Sequence, residues 1–292
     1  VFVAVTGLCA GLSFAHGSRG GGIAFLVGCL MSCAGYTVIR IIDILDPSIS
    51  CSVQGGILCG ALTSTPGLSS ICERPGMVAS QAVRGYGCTY LGGVLSAVFA
   101  VRLCRTQKTE VREAAQAECA DGKRLRAAPC VTVIGVCALF GNLLGSLILP
   151  GTGVMLGATG GILGTAMLLG CGLSKGKYVP EPSVLRIGKN LGLALFFTGT
   201  GVSAGLQIHA LQPMTVLYGL LVTWTALAVG FFCTGRFFGR FHLHRGCVIA
   251  GGMTSSPALG TLLQKCADPP LFQFSAAYFG ALLSLTVLLY FL

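Results

Sequence analysis

One hydroxyl-rich motif occurs twice in the sequence, and its residue types suit the binding of a small polar solute. It reads GALTSTPGL at Gly60–Leu68 and GGMTSSPAL at Gly251–Leu259. Threonine and serine hydroxyls both donate and accept hydrogen bonds. Proline inside a helix removes a backbone hydrogen bond and pushes the preceding residue out of the helical conformation. The motif therefore predicts two broken helices, whose free backbone groups lie beside hydroxyls.

The sequence on either side of the motif is repeated as well. Upstream, Thr6-Gly7 corresponds to Thr200-Gly201, and downstream, Tyr90 corresponds to Tyr278. Order and spacing agree to within a few residues over much of each half, so chance is a poor explanation. The repetition predicts that the chain is an internal duplication.

The composition is that of a polytopic membrane protein. Of the 292 residues, 53% are hydrophobic and only 10% are charged, and the mean hydropathy is +0.82. Soluble domains carry about 25% charged residues. Moreover, 11 of the 28 charged residues fall between Arg102 and Arg126, which leaves too few elsewhere to cover a water-facing surface. We therefore do not interpret the net charge of +10 as a nucleic-acid-binding surface, and we expect no nucleic-acid partner.

Ten apolar stretches are candidate membrane segments, the opening one short, since a spanning helix needs about 20 apolar residues. Lipid-exposed backbone satisfies its hydrogen bonds only in helices or closed barrels, and these runs do not alternate as barrel strands do. The predicted fold is all-α, with the lipid bilayer as its solvent. The predicted segments are 1–15, 22–42, 53–72, 85–103, 131–149, 153–173, 187–207, 213–235, 246–264 and 273–292.

The duplication and the segments together divide the chain into three units. Residues 1–103 form a first transmembrane repeat, which we expect to lack its opening helices. Residues 104–130 form a polar linker, and 131–292 form the second repeat. Cytoplasmic loops are enriched in Lys and Arg, so the linker and the turns at 174–189 and 236–245 are predicted to be cytoplasmic. Alternation then places Arg74 and the loop around Lys265 on the other side.

The position of the motif predicts its role. Gly- or Pro-interrupted segments at matching places in two halves of a membrane protein mark a transporter's binding site. The N-terminal end of a half-helix presents a positive dipole end and bare N–H groups, which favours an anionic solute. The alternative is that Thr, Ser and Pro only kink a packing helix, with the hydroxyls bonded to carbonyls one turn back. Recurrence in both halves makes this alternative the weaker of the two.

The paired motifs resemble those of the aspartate–alanine exchanger family of bacterial transporters, the AspT/YidE/YbjL antiporter duplication. The run Leu185–Gly205 and the Gly-rich stretch 157–165 resemble that family too. The likeness covers 1–103 and 131–292. It implies a secondary transporter of the bacterial inner membrane, with two Pro-broken helices and an architecture related to cation–proton antiporters. The substrate-lining positions that it implies are Thr63, Ser64, Thr65, Pro66, Thr254, Ser255, Ser256 and Pro257.

The sequence also departs from the family pattern. The soluble regulatory domains that usually separate the repeats are replaced by the short linker. Six crossings in the second repeat would make the repeats parallel, whereas the antiporter architecture implies inverted repeats. One segment is then miscounted, and the short segments 131–149 and 153–173, joined by Pro150-Gly151, are the candidates.

Five further positions are candidates for lining the site. Thr198, Thr200 and Ser203 lie at helical spacing, and either form a solute-facing stripe or bond a neighbouring helix. Tyr90 and Tyr278 either border a cavity or belong to the interfacial aromatic belts.

Two acidic residues, Asp43 and Asp46, lie near a predicted span and are interpreted as interfacial, with an ion-coupling role as the alternative. No phosphate-loop, nucleophile or metal motif is present, so no cofactor, metal site or bond-making catalysis is expected. The predicted function is exchange or ion-coupled transport of a small anionic metabolite, such as an amino acid or carboxylate, by alternating access, with a homodimer as one assembly. A channel-like pore and a non-transporting remnant or subunit are the alternatives.

Overall fold

A computed structural model describes residues 20–72, 74, 76–104, 123–125, 127–146, 157–175, 178–181, 183–185, 212–237, 243–266 and 269–292, and single helical residues within 4–12 and 187–202. The helices are α1 (Gly20–Leu45), α2 (Cys51–Ala61), α3 (Thr65–Cys72), α4 (Ala79–Leu103), α5 (Ala127–Ser146), α6 (Gly157–Lys175), α7 (Pro213–Phe232), α8 (Arg245–Gly252), α9 (Ser256–Lys265) and α10 (Leu271–Leu289). A π-helical turn, Cys233–Phe237, extends α7.

The predicted all-α membrane fold is confirmed. Within the described residues, four helices are long and apolar enough to cross a membrane, namely α1, α4, α7 with its extension, and α10. Large apolar side chains such as Leu95, Trp224 and Leu221 remain exposed on them, as expected of helices that face lipid. Besides the helices, the described residues contain one short parallel pair of strands, β1 (Lys123–Leu125) and β2 (Tyr178–Pro180).

Two of the predicted spans, 53–72 and 246–264, are hairpins rather than crossing helices. Gly55 on α2 packs against the side chain of Ile71 on α3, and Gly246 on α8 packs against Leu262 on α9. Each pair is 16 residues apart, which in one continuous helix is a separation of about 24 Å. The second arm of each hairpin therefore runs back along the first, and the prediction of a single broken span was wrong at both places.

The first arm of each hairpin runs parallel to the long helix that follows it. In the first repeat, Gly85 of α4 contacts the carbonyl of Val53, and Gly93 contacts the carbonyl of Ala61. Both pairs are separated by 32 residues, so α2 and α4 advance in the same direction. Gly93 lies near the middle of α4, and the hairpin tip therefore lies about halfway along a membrane-length helix.

The second repeat is built in the same way. The backbone N–H of His244, just before α8, donates to Oε1 of Gln273 near the start of α10 at 2.7 Å. Seven residues later, Gly251 packs against the backbone of Phe274 and Tyr278. The first arm of this hairpin is therefore parallel to α10, as α2 is to α4.

The two repeats run in opposite directions. Gly35 of α1 packs against Val222 of α7. Met31 lies one turn before Gly35 on α1, but its partner Gly230 lies two turns after Val222 on α7. Helices α1 and α7, which hold equivalent places before the two hairpins, are thus antiparallel.

Contacts between the repeats agree with this direction. Phe25 of α1 lies beside Gly280 of α10, and further along α1 the hydroxyl of Tyr36 donates to the carbonyl of Phe291, so α1 and α10 are parallel. Helices α4 and α7 are likewise parallel to each other. The repeats are inverted, as the antiporter resemblance implies. The segment 246–264 was miscounted as a span, whereas 131–149 and 153–173, the segments suspected from the sequence, contain helices α5 and α6.

The hairpins also correct the predicted side of Lys265. Because α8 and α9 return the chain to the face where they began, Lys265 lies at the face where α4 ends, and its Nζ donates to the carbonyls of Arg102 at 2.9 Å and Cys104 at 2.6 Å. The end of the linker, in β1, pairs with β2 in the second basic loop. The end of α4 is thus joined to the loop around Lys265, and the linker that follows α4 is joined to the second basic loop.

The first hairpin has an equivalent cation at its outer end. Arg74 stands 191 positions before Lys265, the same offset as between the two motifs. Its guanidinium donates to the carbonyl of Leu289 at the C-terminal end of α10, and it lies 5.0 Å from the ring centroid of Tyr290. Cations stabilise the negative end of a helix. Each repeat thus caps the last long helix of the other.

We predict that Lys265→Met lowers the free energy of unfolding by about 1 kcal/mol, because the last carbonyls of α4 lose their cationic cap. The measurement is thermal unfolding of the purified protein in detergent. Lys265→Arg keeps the cation and should unfold like the parent. Arg84→Met, at an exposed arginine with no recorded partner among the described residues, is the matched control. Equal losses for Lys265→Met and Arg84→Met would contradict the capping role.

Candidate functional site

The chain reverses direction at a threonine in each hairpin. Thr63 has a φ of 56° and Thr254 a φ of 46°, which is the left-handed conformation that glycine usually supplies at the end of a helix. The N–H of Thr63 donates to the carbonyl of Gly60 at 3.0 Å, and the N–H of Ser64 reaches back to Cys59 at 2.7 Å. This pair of bonds ends the helix in a Schellman motif. A β-branched residue in this conformation is strained by about 1–3 kcal/mol.

The strained threonines bind the two tips to each other. Oγ1 of Thr63 donates to the carbonyl of Met253 at 2.8 Å, and Oγ1 of Thr254 donates to the carbonyl of Leu62 at 2.9 Å. Both threonines are buried. In each bond, the threonine hydroxyl of one tip donates to the equivalent carbonyl of the other tip. An approximate two-fold axis therefore relates the two tips.

The end of α2 is fully satisfied by this arrangement, although it lies in an apolar bundle. A helix leaves its last four carbonyls without intrahelical partners. Two of them accept from the Schellman amides, one accepts from the opposite tip, and the fourth, that of Ala61, accepts from Oγ1 of Thr223 on α7 at 3.0 Å. Sequence reasoning missed Thr223, because its contact with the hairpin depends on the inverted packing.

The serine and proline of each motif start the returning arm. Oγ of Ser64 accepts from the N–H of Gly67 at 3.2 Å, and Ser255 makes the equivalent bond at 3.3 Å. Both serines are therefore N-caps. Pro66 and Pro257 lie in the first turn after the cap, where a missing N–H costs nothing. The prediction that they break a continuous helix was wrong, because the strained threonine ends the first arm before either proline is reached.

The third hydroxyl residue of each motif has a different environment in the two hairpins. Thr65 is exposed, and its hydroxyl lies 3.1 Å from the hydroxyl of Tyr86 on α4. Its counterpart Ser256 is 6% exposed. Residues 246–260 are buried throughout, and Thr65 is the one exposed position of 52–67. The surface of the paired tips therefore opens at the first hairpin.

The two tyrosines at corresponding positions of the repeats lie near the level of the tips. Tyr90 stacks on Tyr86 with ring centroids 5.0 Å apart, and Tyr278 packs on Phe274 at 5.7 Å. Both Tyr90 and Tyr278 are 6% exposed, so they are core residues rather than members of an interfacial belt. Tyr86 was missed from the sequence, although its place one helical turn before Tyr90 was a usable signal.

The third group of predicted lining residues is described only in part. Thr198 is exposed, and its hydroxyl donates to the carbonyl of Ala194, one turn back, at 3.0 Å. Thr200 and Ser203 lie outside the described residues. The geometry at Thr198 is that of a self-bonded helix hydroxyl.

The acidic pair lies beyond the site, at the end of α1. Asp43 pairs with Arg40 at 3.3 Å and accepts from Nε2 of Gln54 at 2.6 Å. Asp46 accepts from the hydroxyl of Ser48 and from that of Tyr218, and these bonds, the first above all, hold its pKa below the usual range. Both carboxylates are held by neighbouring side chains at the end of a long helix, which favours the interfacial interpretation.

Inverted repeats whose interrupted helices meet halfway along the bundle are typical of membrane transport proteins. The fold and the paired tips place the molecule in that class, as a multi-pass protein. The model of a permease family, Asp-Al_Ex, described as a predicted permease membrane region, matches residues 1–106 and 133–292. The chain therefore belongs to this family, and the resemblance noted in the sequence is confirmed.

A curated relative supports the same assignment. Over 90 residues the chain is 38% identical to an uncharacterized transporter of Rhodopirellula baltica. The match covers 27% of this chain and 15% of the relative, so the similarity extends over a small part of that protein's length. No solved structure matches the chain.

We predict that Thr63→Val lowers the free energy of unfolding by about 1–3 kcal/mol, because it leaves the buried carbonyl of Met253 without its donor. Valine keeps the β-branched shape at the positive φ, so the change isolates the hydroxyl. Thr63→Ser keeps the hydroxyl and should be close to the parent. Chemical or thermal unfolding in detergent measures both.

The matched control is Thr225→Val, because the exposed Thr225 hydroxyl bonds only within its own helix, to the carbonyl of Leu221. Thr254→Val should behave like Thr63→Val, since the two bonds are reciprocal. If Thr63→Val were no more harmful than Thr225→Val, the bonds between the tips would have no energetic role.

Proposed function

We propose that the protein is a secondary active transporter of the bacterial inner membrane that carries a small anionic metabolite, an amino acid or carboxylate, by alternating access. The observation that supports this most strongly is the meeting of two inverted hairpin tips, Thr63–Thr65 and Thr254–Ser256, halfway along the membrane-length helices. Family membership supports the transport class. No bond-making chemistry is part of the proposal.

The chemistry of the tips favours an anion. The returning arms α3 and α9 both begin there, so two helix N-termini, with their positive dipole ends, converge on the same place. In the second hairpin, Pro257 has no N–H, and the N–H of Ala258 donates to the hydroxyl of Ser255. The N–H and hydroxyl of Ser256, the first residue of the arm, therefore remain as donors. Thr65 supplies the equivalent hydroxyl in the first hairpin. Donors of this kind suit a carboxylate.

The burial pattern favours access from one side at a time. The second hairpin is closed by neighbouring helices along 246–260, whereas the first exposes Thr65. An inverted repeat allows the opposite arrangement at similar energy, with the second tip open and the first closed. The solute crosses the membrane as the protein changes from one state to the other. This change breaks and re-forms the two threonine hydrogen bonds between the tips. We propose that the protein assembles as a homodimer.

The test is counterflow in proteoliposomes that contain the purified protein. Vesicles are loaded with unlabelled L-aspartate, L-alanine or succinate, and uptake of the same labelled compound is followed. A transporter that exchanges solute takes up label faster into loaded than into empty vesicles, whereas a channel-like pore shows no such stimulation. Stimulated uptake of at least one of these compounds is expected, and its absence for all three contradicts the proposal.

The site is tested in the same assay with Thr65→Val. Loss of a hydroxyl hydrogen bond to a charged group lowers affinity by about 10-fold or more, so the KM of the active compound should rise by that factor. Thr225→Val is again the control and should transport like the parent. An unchanged KM in Thr65→Val would remove Thr65 from the site.

A further inference from the structure

Tyr86 and Phe274 occupy equivalent places in the two repeats. Gly60 in the first hairpin packs against the carbonyl oxygen of Tyr86, and the equivalent Gly251 packs against the carbonyl oxygen of Phe274. Each ring also contacts the tyrosine one turn later on its own helix. The approximate two-fold axis between the tips therefore relates a tyrosine to a phenylalanine.

The two positions differ by a single hydroxyl group, and that group lies at the open tip. Tyr86 lies 3.1 Å from the hydroxyl of Thr65, the exposed residue of the first tip. Phe274 offers no polar atom to Ser256, the counterpart of Thr65. One half of the proposed site thus has a pair of hydroxyls, and the other half has the hydroxyl of Ser256 and a phenylalanine at the position equivalent to Tyr86.

The hydroxyl of Tyr86 has capacity for a further bond. A phenol donates one hydrogen and accepts at its oxygen. When Thr65 donates to Tyr86, the hydrogen of Tyr86 is directed elsewhere, and the tyrosine has no second recorded hydrogen-bond partner among the described residues. Tyr86 is 9% exposed, and its hydroxyl lies beside the exposed Thr65.

No charged side chain belongs to either tip in the described part of the chain. The cations of the hairpins lie at their outer ends, about ten residues or 15 Å from the tips along a helical arm. Arg245 begins α8. Arg74 and Lys265 lie at the ends of the returning arms. Both bond to backbone carbonyls there. A carboxylate held at the tips is therefore bound by hydroxyl and amide donors, and a difference of one hydroxyl between the halves is enough to orient it.

We propose that Tyr86 is a specificity-determining residue. Its hydroxyl, which accepts from Thr65, donates to the carboxylate of the solute at the first hairpin, while the second hairpin has a phenylalanine at the equivalent place and offers no such donor to the other end of the solute. The solute then binds in one orientation, although an approximate two-fold axis relates the two tips. This assignment rests on the proposed transport of a small anion.

The experiment pairs a change in the protein with a change in the solute. Binding to the purified protein in detergent is measured by calorimetry for L-alanine against L-alaninamide and for succinate against succinamate. Each pair replaces a carboxylate by an amide. The parent should bind the amide about 10-fold or more weakly. In Tyr86→Phe the penalty should shrink to about 3-fold or less, because the hydroxyl that recognises the charge is gone.

Phe274→Tyr and Tyr218→Phe are the controls. Phe274→Tyr keeps Tyr86 and should keep the full amide penalty. Tyr218→Phe removes a hydroxyl that bonds Asp46 at the end of α1, and it should keep the penalty as well. A thermal unfolding curve for each variant shows whether the fold is retained.

The outcomes separate the two proposals. A reduced amide penalty in Tyr86→Phe alone supports the assignment. A full penalty in Tyr86→Phe, or an equal weakening of acid and amide, overturns it and makes Tyr86 a packing residue, while transport of an anion still stands. Failure of the parent to bind either acid contradicts the anionic solute and overturns the assignment along with it.

Discussion

The structure depends on two reciprocal hydrogen bonds, from Thr63 to the carbonyl of Met253 and from Thr254 to the carbonyl of Leu62. A chain that reverses inside an apolar bundle exposes helix-end carbonyls where water cannot reach them, and each one left unsatisfied costs several kcal/mol. Neither hairpin end is satisfied by its own repeat alone. The two reversals must therefore meet, and their meeting fixes the inverted arrangement of the repeats.

The identity of the reversing residue links stability to function. Glycine would adopt the left-handed turn without strain, but it has no hydroxyl to donate to the opposite tip. Threonine accepts about 1–3 kcal/mol of strain and gains the bond in return. Strain of this kind persists only where the surroundings enforce it, and it is concentrated at sites that change conformation. A tip that is strained when bonded is suited to exchange between two arrangements of similar energy.

Much of this architecture could be predicted from the sequence, and the rest could not for identifiable reasons. Composition and the paired motifs predicted an all-α duplicated membrane protein and the regions that the tips occupy. The hairpins were missed because two apolar arms of 8–11 residues have together the length of one spanning helix. A signal was present, since Arg74 and Lys265 each follow the reversing threonine of their motif by 11 residues, and a cation capping a distant helix end was the feature to look for. Tyr86 and Thr223 depend on packing between segments, which no local pattern records.

The most direct test of the account is the sidedness of the loops around the first hairpin. In a cysteine-free background, Ser48→Cys, Ser80→Cys and Gln264→Cys place single thiols at exposed positions before and after the first hairpin and at the end of the second. A membrane-impermeant maleimide is applied to intact cells and to inverted vesicles. Re-entrant hairpins in inverted repeats predict that positions 48 and 80 react from the same side and position 264 from the other. Reaction of positions 48 and 80 from opposite sides would show that 53–72 crosses the membrane and would contradict the account.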